Sequence, residues 1–157
     1  MTTVVKFYET GTPDVMRLEK SEVGDPGPGQ VRLRHVAVGL NFADTYFRSG
    51  IYQVPLPSGL GNEASGVIEA VGAGVTNLQV GDRVTYTGFT NTLGAYSTER
   101  LIDANVLIKL PEAISCETAA AMTMRGLSAS YLCRKIYPFQ RGETILLHAA
   151  AGGVGLI

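Results

Sequence analysis

The chain has 157 residues, of which 45% are hydrophobic and 17% are charged, and its formal net charge is −1. The 13 Lys and Arg residues form no basic cluster, and no apolar run approaches the ~20 residues of a membrane-spanning helix, so neither nucleic acid nor a membrane is expected as a partner. The N-terminus carries neither the basic nor the apolar segment of a secretory signal, which predicts a cytoplasmic protein.

The first part of the chain, up to about residue 109, alternates short β-like runs with turn residues. Several runs alternate apolar and polar side chains, which is typical of strands with one buried face. The segments 25–29 and Gly81-Asp82 are expected to be turns. An antiparallel barrel or sandwich follows, with predicted strands at 4–8, 31–38, 66–71, 83–86, 95–101 and 105–109.

The remaining part begins with a helical segment. Ser115 is a candidate cap, and residues 117–135 predict either one helix or two helices broken near 125–126. After a turn at 141–143, the run 144–149 is apolar without alternation, as expected for a parallel strand buried on both faces.

A Gly-rich stretch, Ala-x-Gly-x-x-Gly, follows this run at 150–155. Small residues in such a turn allow a backbone to approach a pyrophosphate, so a strand followed by this spacing predicts a dinucleotide site. The elements that complete such a site would follow residue 157. We therefore expect part of a longer protein, with a β domain at 1–110 and the helix, strand and Gly-rich turn that start an α/β Rossmann domain at 111–157.

Five segments resemble the quinone oxidoreductases of the zeta-crystallin type, which are zinc-independent members of the medium-chain dehydrogenase/reductase superfamily. These segments are 41–52, 60–68, 71–75, 80–84 and 142–155. The resemblance implies a GroES-like catalytic barrel packed on a Rossmann domain, with NADPH in the cleft between them. It also implies reduction of quinones or similar conjugated carbonyls by a homodimer.

No metal is expected in the site. Zinc-using relatives place a cysteine and a histidine at the positions that match Asn41 and Asn62, so only Glu63 remains from a set that needs three protein ligands. The two cysteines, Cys116 and Cys133, form no Cys-x-x-Cys pair, which excludes a disulfide scaffold and a structural zinc knuckle. Hydrogen bonds would therefore have to polarise the acceptor while the nicotinamide delivers hydride.

The resemblance also implies roles for individual residues. The candidate catalytic residues are Asn41, Tyr46 and Tyr52, although the residues alone favour reading both tyrosines as packing aromatics. The loop with Asn41, Phe42, Asp44 and Thr45 would contact the nicotinamide end of the cofactor. Ser128 and Tyr131 would lie near its ribose or carboxamide, and the pyrophosphate would be held by Gly152, Gly153, Val154 and Gly155.

Three further polar residues are expected to be structural. Arg48 is predicted to be a solvated surface side chain, His35 a packed histidine and His148 a structural residue before the Gly-rich turn. Two other functions remain open, namely an enone or double-bond reductase on the same scaffold and a non-catalytic GroES-like binding protein.

Overall fold

The computed structural model describes residues 1–88 and 92–157, which form two antiparallel sheets and two helices of eight residues or more. Short 3₁₀ turns lie at Pro13–Val15 and Ala104–Val106, and a π-helical turn lies at Leu132–Ile136. The helices are α1 (Phe42–Ser49) and α2 (Cys116–Tyr131). The strands are β1 (Thr2–Phe7), β2 (Met16–Ser21), β3 (Gln30–Val38), β4 (Ser58–Gly59), β5 (Glu63–Val71), β6 (Arg83–Thr87), β7 (Glu99–Asp103) and β8 (Ile108–Lys109).

The two sheets are joined along the first strand. Their strand orders are β2-β1-β4 and β7-β3-β5-β6-β8, and every pairing is antiparallel. Backbone hydrogen bonds from Val5 N to Tyr96 O (2.8 Å) and from Thr98 N to Thr3 O (2.9 Å) connect β1 to the segment before β7. The prediction of an antiparallel β domain is therefore confirmed.

The core lies between the larger sheet and the loops that cover it. Val31 and Leu33 are fully buried, and the Arg32 and Arg34 side chains alternate with them along β3. A second cluster joins Phe7, Leu60 and Phe47 of α1. Full burial of a side chain such as Phe47 contributes roughly 2–3 kcal/mol, so it anchors α1 to the sheet. The main core consists of Val31, Leu33, Ala64, Ile68, Leu78, Val84, Tyr86, Ala95, Ile102, Ala104 and Leu107.

The predicted turn at Gly81-Asp82 is present. Gly81 has φ of 91°, in the left-handed region that favours glycine, and Asp82 accepts a hydrogen bond from Gln79 N at 3.0 Å. The Lys109 ammonium, 2.7 Å from Asp82, lowers the pKa of that carboxyl. This ion pair ties the turn before β6 to β8.

Some predicted strand bounds are wrong, and β2, β4 and α1 were not predicted. The run 95–101 becomes a strand only from Glu99, and 105–109 divides into a 3₁₀ turn and the short β8. The edge strand β2 has mostly exposed side chains, so it lacks the alternation that marks the other strands. The segment after β3 was predicted to be a loop, whereas residues 42–49 form α1.

The helix predicted after residue 115 is a single one. The Ser115 hydroxyl accepts a hydrogen bond from Thr118 N at 3.1 Å, and α2 continues without a break through Gly126. Its first half packs on the larger sheet, where the Thr123 and Thr85 hydroxyls lie 2.9 Å apart. In the segment before α2, the Arg83 guanidinium donates to three carbonyl oxygens, those of residues 111, 112 and 114. Residues 116–124 thus share the packing of the β domain, and the predicted division at 110 remains a prediction.

The prediction of a parallel strand at 144–149 is wrong for this structure. These residues form no strand, and their side chains are exposed. A parallel strand needs a hydrogen-bonded neighbour and covered faces, and no strand of the described chain pairs with this segment. No helix in the described ranges is both long and apolar enough to cross a membrane.

Candidate functional site

The first feature of the site is the junction between β3 and α1. Asn41 is the N-cap of α1 and forms a capping box with Asp44, in which the Asn41 side chain faces the Asp44 N–H. In return, the Asp44 carboxylate accepts a hydrogen bond from Asn41 N at 3.0 Å. Gly50, with φ of 85°, ends the helix. An Asn-x-x-Asp spacing at 41–44 therefore encodes a helix start, where a loop was expected.

Asp44 is buried in a polar network rather than pointing to solvent. It is 3% exposed, and besides Asn41 N it accepts hydrogen bonds from Asn62 Nδ2 at 3.3 Å and from the Tyr96 hydroxyl at 2.8 Å. Burial raises the pKa of Tyr96, and the adjacent Asp44 carboxylate raises it further. The Asp44 carboxylate is thus used inside the protein, where it holds α1 in place, and its predicted contact with a cofactor stays untested.

Asn62 also belongs to this network. It is 1% exposed, and its Oδ1 accepts a hydrogen bond from the Thr92 hydroxyl at 3.4 Å while its Nδ2 binds Asp44. Its backbone oxygen accepts a further bond from Gly88 N at 3.2 Å. The side chain that stands where zinc-using relatives have a histidine is therefore an internal amide that links α1 to the loop after β6.

Glu63 connects the junction to α2. This residue begins β5 and is 1% exposed, and its Oε2 accepts a hydrogen bond from Asn41 Nδ2 at 2.7 Å. Its Oε1 accepts a hydrogen bond from the backbone N–H of Met124 at 2.6 Å. In the sequence, Glu63 stands out only as the one remaining metal ligand, although a glutamate among small residues at the start of a buried strand also indicates a buried partner.

The predicted catalytic tyrosines lie together. Tyr46 and Tyr52 stack edge-on with ring centroids 5.3 Å apart, and Tyr52 N donates to Tyr46 O at 3.1 Å. Phe42 packs on Tyr46 at 5.2 Å, and the buried Phe47 packs on Tyr52 at 5.3 Å. Phe42 is 74% exposed and Tyr52 is 37% exposed, so this aromatic cluster has one face in the core and another in solvent.

Thr45 and Arg48 line a hollow beside this cluster. The hollow has a volume of about 220 Å³, and Asn41, Phe42 and Leu60 also border it. Arg48 is half-buried rather than fully solvated, and its Nε donates to a backbone oxygen at residue 11 at 3.2 Å. The accessible surface that lines the hollow is mostly apolar.

Ser128 and Tyr131 lie on α2, one and two turns beyond the Met124 amide that Glu63 holds. The Ser128 hydroxyl donates to Met124 O at 2.8 Å, while Tyr131 is 58% exposed. Met124 therefore contacts Glu63 through its N–H and Ser128 through its carbonyl. The structure links this predicted cofactor helix directly to the Asn41 junction.

The Gly-rich segment forms a tight turn. Ala149 has φ of 53°, and Gly152 N donates to Ala149 O at 2.8 Å. A Cβ at Gly153 would lie 2.6 Å from the Arg125 side chain, and one at Gly155 would lie 2.5 Å from the Ala150 carbonyl oxygen. Glycine is thus required at Gly155, where the clash is with backbone, whereas at Gly153 the flexible Arg125 side chain would have to shift. The turn lies against the Arg125 guanidinium, as suits a bound phosphate. The strand predicted directly before this turn, at 144–149, is not formed, so the turn lacks the strand that a dinucleotide site would place before it.

His35 lies outside the junction in a chain of hydrogen bonds. Its Nδ1 donates to Ser97 O at 2.7 Å, and its Nε2 accepts from the Tyr86 hydroxyl at 3.1 Å. Burial lowers the pKa of His35 to about 4, and the Arg100 guanidinium lowers it further, against the effect of the Ser97 bond. His35 is a packed neutral histidine, as predicted, whereas His148 is exposed.

In the ranges 1–88 and 92–157, no three His, Cys, Asp or Glu side chains are grouped so that they could hold a metal ion. The Asn41 and Asn62 amides are both engaged with carboxylates, as described above.

Residues 27–112 match the family model of the alcohol dehydrogenase GroES-like domain. The chain is 50% identical over 153 residues to a quinone oxidoreductase from Pseudomonas aeruginosa, a match that covers 97% of the chain and 46% of that relative. It is also 44% identical over 158 residues to a 2-haloacrylate reductase from a Burkholderia species, which covers 96% of the chain and 46% of that relative.

The structure is similar to the crystal structure of Escherichia coli quinone oxidoreductase complexed with NADPH. The TM-score is 0.93 at 46% sequence identity, and the match covers 99% of this chain and 47% of that one. The chain therefore spans about half the length of the curated relatives it matches. These matches confirm the resemblance and the β-rich fold class that the sequence predicted.

Proposed function

Because the chain belongs to the alcohol dehydrogenase GroES-like domain family, we propose that the full-length protein uses NADPH to reduce quinones, without zinc. The observation that carries this proposal is the junction of β3 with α1, where Glu63 connects Asn41 to α2 and the stacked Tyr46 and Tyr52 follow Asn41 along the chain. The name of the relative that is 50% identical supplies the substrate class.

The roles of the residues follow from the donors at this junction. NADPH would supply hydride to a quinone carbon, and the charge that develops on the quinone oxygen needs hydrogen-bond donors. Amide N–H and phenol O–H groups donate such bonds, and Asn41, Tyr46 and Tyr52 carry them. A quinone suits this set because its developing charge is delocalised, so it requires less stabilisation than an alkoxide would.

The cofactor contacts extend over α1, α2 and the Gly-rich turn. Asn41, Phe42, Asp44 and Thr45 would border the nicotinamide end, where the Asp44 carboxylate, already bonded within the protein, would hold the start of α1 in place. On α2, Ser128 and Tyr131 would meet the ribose or carboxamide. The residues present fit a pyrophosphate, since three glycines of the turn leave its backbone accessible and Gly153 lies against Arg125. The groups that would hold it are Gly152, Gly153, Val154 and Gly155.

Zinc independence rests on the chemistry of two positions. Asn41 and Asn62 stand where zinc-using relatives carry a cysteine and a histidine, and each amide nitrogen donates to a carboxylate here. An amide that donates in this way is a poor substitute for a thiolate or an imidazole as a zinc ligand. We further propose a cytoplasmic homodimer, with the domain division near residue 110.

The test is a steady-state assay of the full-length protein. NADPH oxidation is followed by absorbance with benzoquinones and with acyclic enones, and bound metal is measured by elemental analysis. We expect turnover with quinones and no stoichiometric zinc. Absence of NADPH oxidation with every quinone and enone, or one catalytic zinc per chain, would refute the proposal.

A second candidate is an enone or double-bond reductase on the same scaffold. It is favoured by the 44% identity to a relative named 2-haloacrylate reductase. The same assay separates the two, because a double-bond reductase would show a higher kcat/KM with the acyclic substrates. A non-catalytic GroES-like protein would bind no NADPH by calorimetry.

A further inference from the structure

Glu63 is a buried carboxylate with two donors and no role in the reaction proposed above. Its Oε2 accepts from Asn41 Nδ2 at 2.7 Å and its Oε1 accepts from Met124 N at 2.6 Å. The residue is 1% exposed, so these bonds form where water does not compete for them. A carboxylate in this position is costly unless it is well bonded, which indicates that the bonds themselves matter.

The surroundings prevent the carboxylate from moving. A Cβ at Gly39 would overlap both the Glu63 carboxylate and the Ala120 carbonyl, and Gly39 N donates to Glu63 O at 2.8 Å. Only glycine therefore allows β3, β5 and α2 to approach this closely. The Met124 N–H is part of the α2 backbone and cannot turn away.

These contacts determine the orientation of the Asn41 amide. A carboxylate only accepts hydrogen bonds, so the NH₂ end of Asn41 must face Glu63. The oxygen end of the amide faces the Asp44 N–H in the capping box of α1, and this N–H also donates to the Asn41 backbone oxygen at 3.0 Å. One hydrogen of Nδ2 is used by Glu63, and the second remains to donate.

We propose that Glu63 is a positioning residue, which holds the Asn41 amide so that its remaining N–H donates to a bound molecule in the site. It also keeps this donor at a constant distance from α2, which carries Ser128 and Tyr131. The inference rests on the proposed function, because the acceptor would be a carbonyl or hydroxyl oxygen of the quinone or the nicotinamide cofactor.

The test exchanges the two partners in the full-length protein. In Glu63→Gln, the new NH₂ group must face either Asn41 Nδ2 or Met124 N–H, and both are donors. In Asn41→Asp, two carboxylates face each other. The double variant, N41D/E63Q, pairs a carboxylate acceptor at position 41 with an amide donor at position 63, keeps the wild-type net charge and retains a good N-cap for α1. Thermal unfolding of the protein without ligand is measured for all four proteins.

We expect each single variant to lower the Tm by roughly 3 °C or more and the double variant to return to within about 2 °C of the wild type. Losses in Tm that simply add in the double variant would overturn the proposed polarity of the pair. Glu69→Gln is the matched control, since Glu69 lies on the same strand but forms a surface ion pair with Arg34 at 2.8 Å. It removes the same charge and is expected to leave both Tm and activity unchanged.

Kinetics then separate positioning from stability. The double variant is expected to regain Tm but to keep a kcat/KM at least about tenfold below the wild type, because an aspartate has no N–H to donate. In an Asn41→Ala background, Glu63→Gln is expected to cause no further loss of kcat/KM. Recovery of kcat/KM in the double variant, or a further loss of about tenfold in the Asn41→Ala background, would overturn the inference.

Failure of the proposed function would be visible separately. If the wild type oxidises no NADPH with any quinone or enone, the proposed reaction and the role of Asn41 as a donor are both refuted. The Tm values of the exchange series still decide whether Glu63 orients Asn41, because they require neither cofactor nor substrate.

Discussion

Replacement of Asp44 tests the buried network that holds α1. Its carboxylate accepts three hydrogen bonds, from Asn41 N at 3.0 Å, Asn62 Nδ2 at 3.3 Å and the Tyr96 hydroxyl at 2.8 Å. Asp44→Ala leaves one buried donor and two half-buried donors without this acceptor, and an unsatisfied buried group costs about 1–3 kcal/mol before relaxation. Because some of the donors will find other partners, we expect a net loss of roughly 3–5 kcal/mol in the free energy of unfolding.

Asp44→Asn is the informative conservative variant. Its amide has the size of the carboxylate, but its NH₂ group must face one of the three donors. We expect this variant to lose about 1–3 kcal/mol, which lies between the wild type and Asp44→Ala. The matched control is Asp25→Ala, since the Asp25 side chain is 99% exposed and lies 3.7 Å from Arg32. Asp25→Ala is expected to change the free energy of unfolding by no more than about 0.5 kcal/mol.

The measurement is urea denaturation of the full-length protein at neutral pH, followed by circular dichroism. The midpoint should fall in the order wild type, Asp44→Asn, Asp44→Ala, with an unchanged slope. If Asp44→Ala were as stable as Asp25→Ala, the hydrogen bonds to Asp44 would not support α1, and the account of the junction would be wrong.

Three other predictions concern the packing around the site. Gly39→Ala is expected to lower the free energy of unfolding, measured by urea denaturation, by about 1–3 kcal/mol, because its methyl group would overlap the Glu63 carboxylate and the Ala120 carbonyl. Gly24→Ala, with open space around the added methyl group, is the control and is expected to have no effect. Burial lowers the pKa of His35 from 6.5 to about 4, so the unfolded chain binds more protons than the native one in this range, and stability should fall by roughly 3 kcal/mol as the pH drops from 6.5 to 4. The fall should be smaller by this amount in His35→Gln and unchanged in His148→Gln. Denaturation midpoints across the range measure it, and an undiminished fall in His35→Gln would contradict the argument. Arg83→Met removes three hydrogen bonds to the carbonyls of residues 111, 112 and 114. We expect the free energy of unfolding to fall by about 1–2 kcal/mol and proteolysis at residues 111–114 to become faster. An unchanged cleavage rate would argue against the role of Arg83 in holding this segment.

Local signals in the sequence predicted several elements because their causes are local. The alternation along β3 depends only on which side chains are apolar, and the turn at 81–82 depends on a glycine that tolerates a positive φ. The cap at Ser115 is likewise a contact over three residues. The helix α1 has the same kind of local signal, an N-cap Asn41 with Asp44 three residues later, although a loop was expected there.

The strand predicted at 144–149 shows where local signals are insufficient. Its composition is that of a buried parallel strand, but strand structure requires a hydrogen-bonded neighbour, and no strand of the described chain pairs with it. The residue types at 144–149 therefore favour a strand, but they do not provide the neighbouring strand with which it would have to form hydrogen bonds. The Gly-rich turn beyond it did form a tight turn, because its bonds lie within a few residues.

The sequence by itself determined the fold class, the family and which residue types stand at 41, 46, 52 and 63. Only the tertiary structure decided what these residues do to one another. Asn41 meets Glu63 from 22 positions away, and Glu63 meets Met124 from 61 positions away. Such contacts depend on the order of strands in the sheet and on the close approach that Gly39 permits, and no periodicity or spacing in the chain records them.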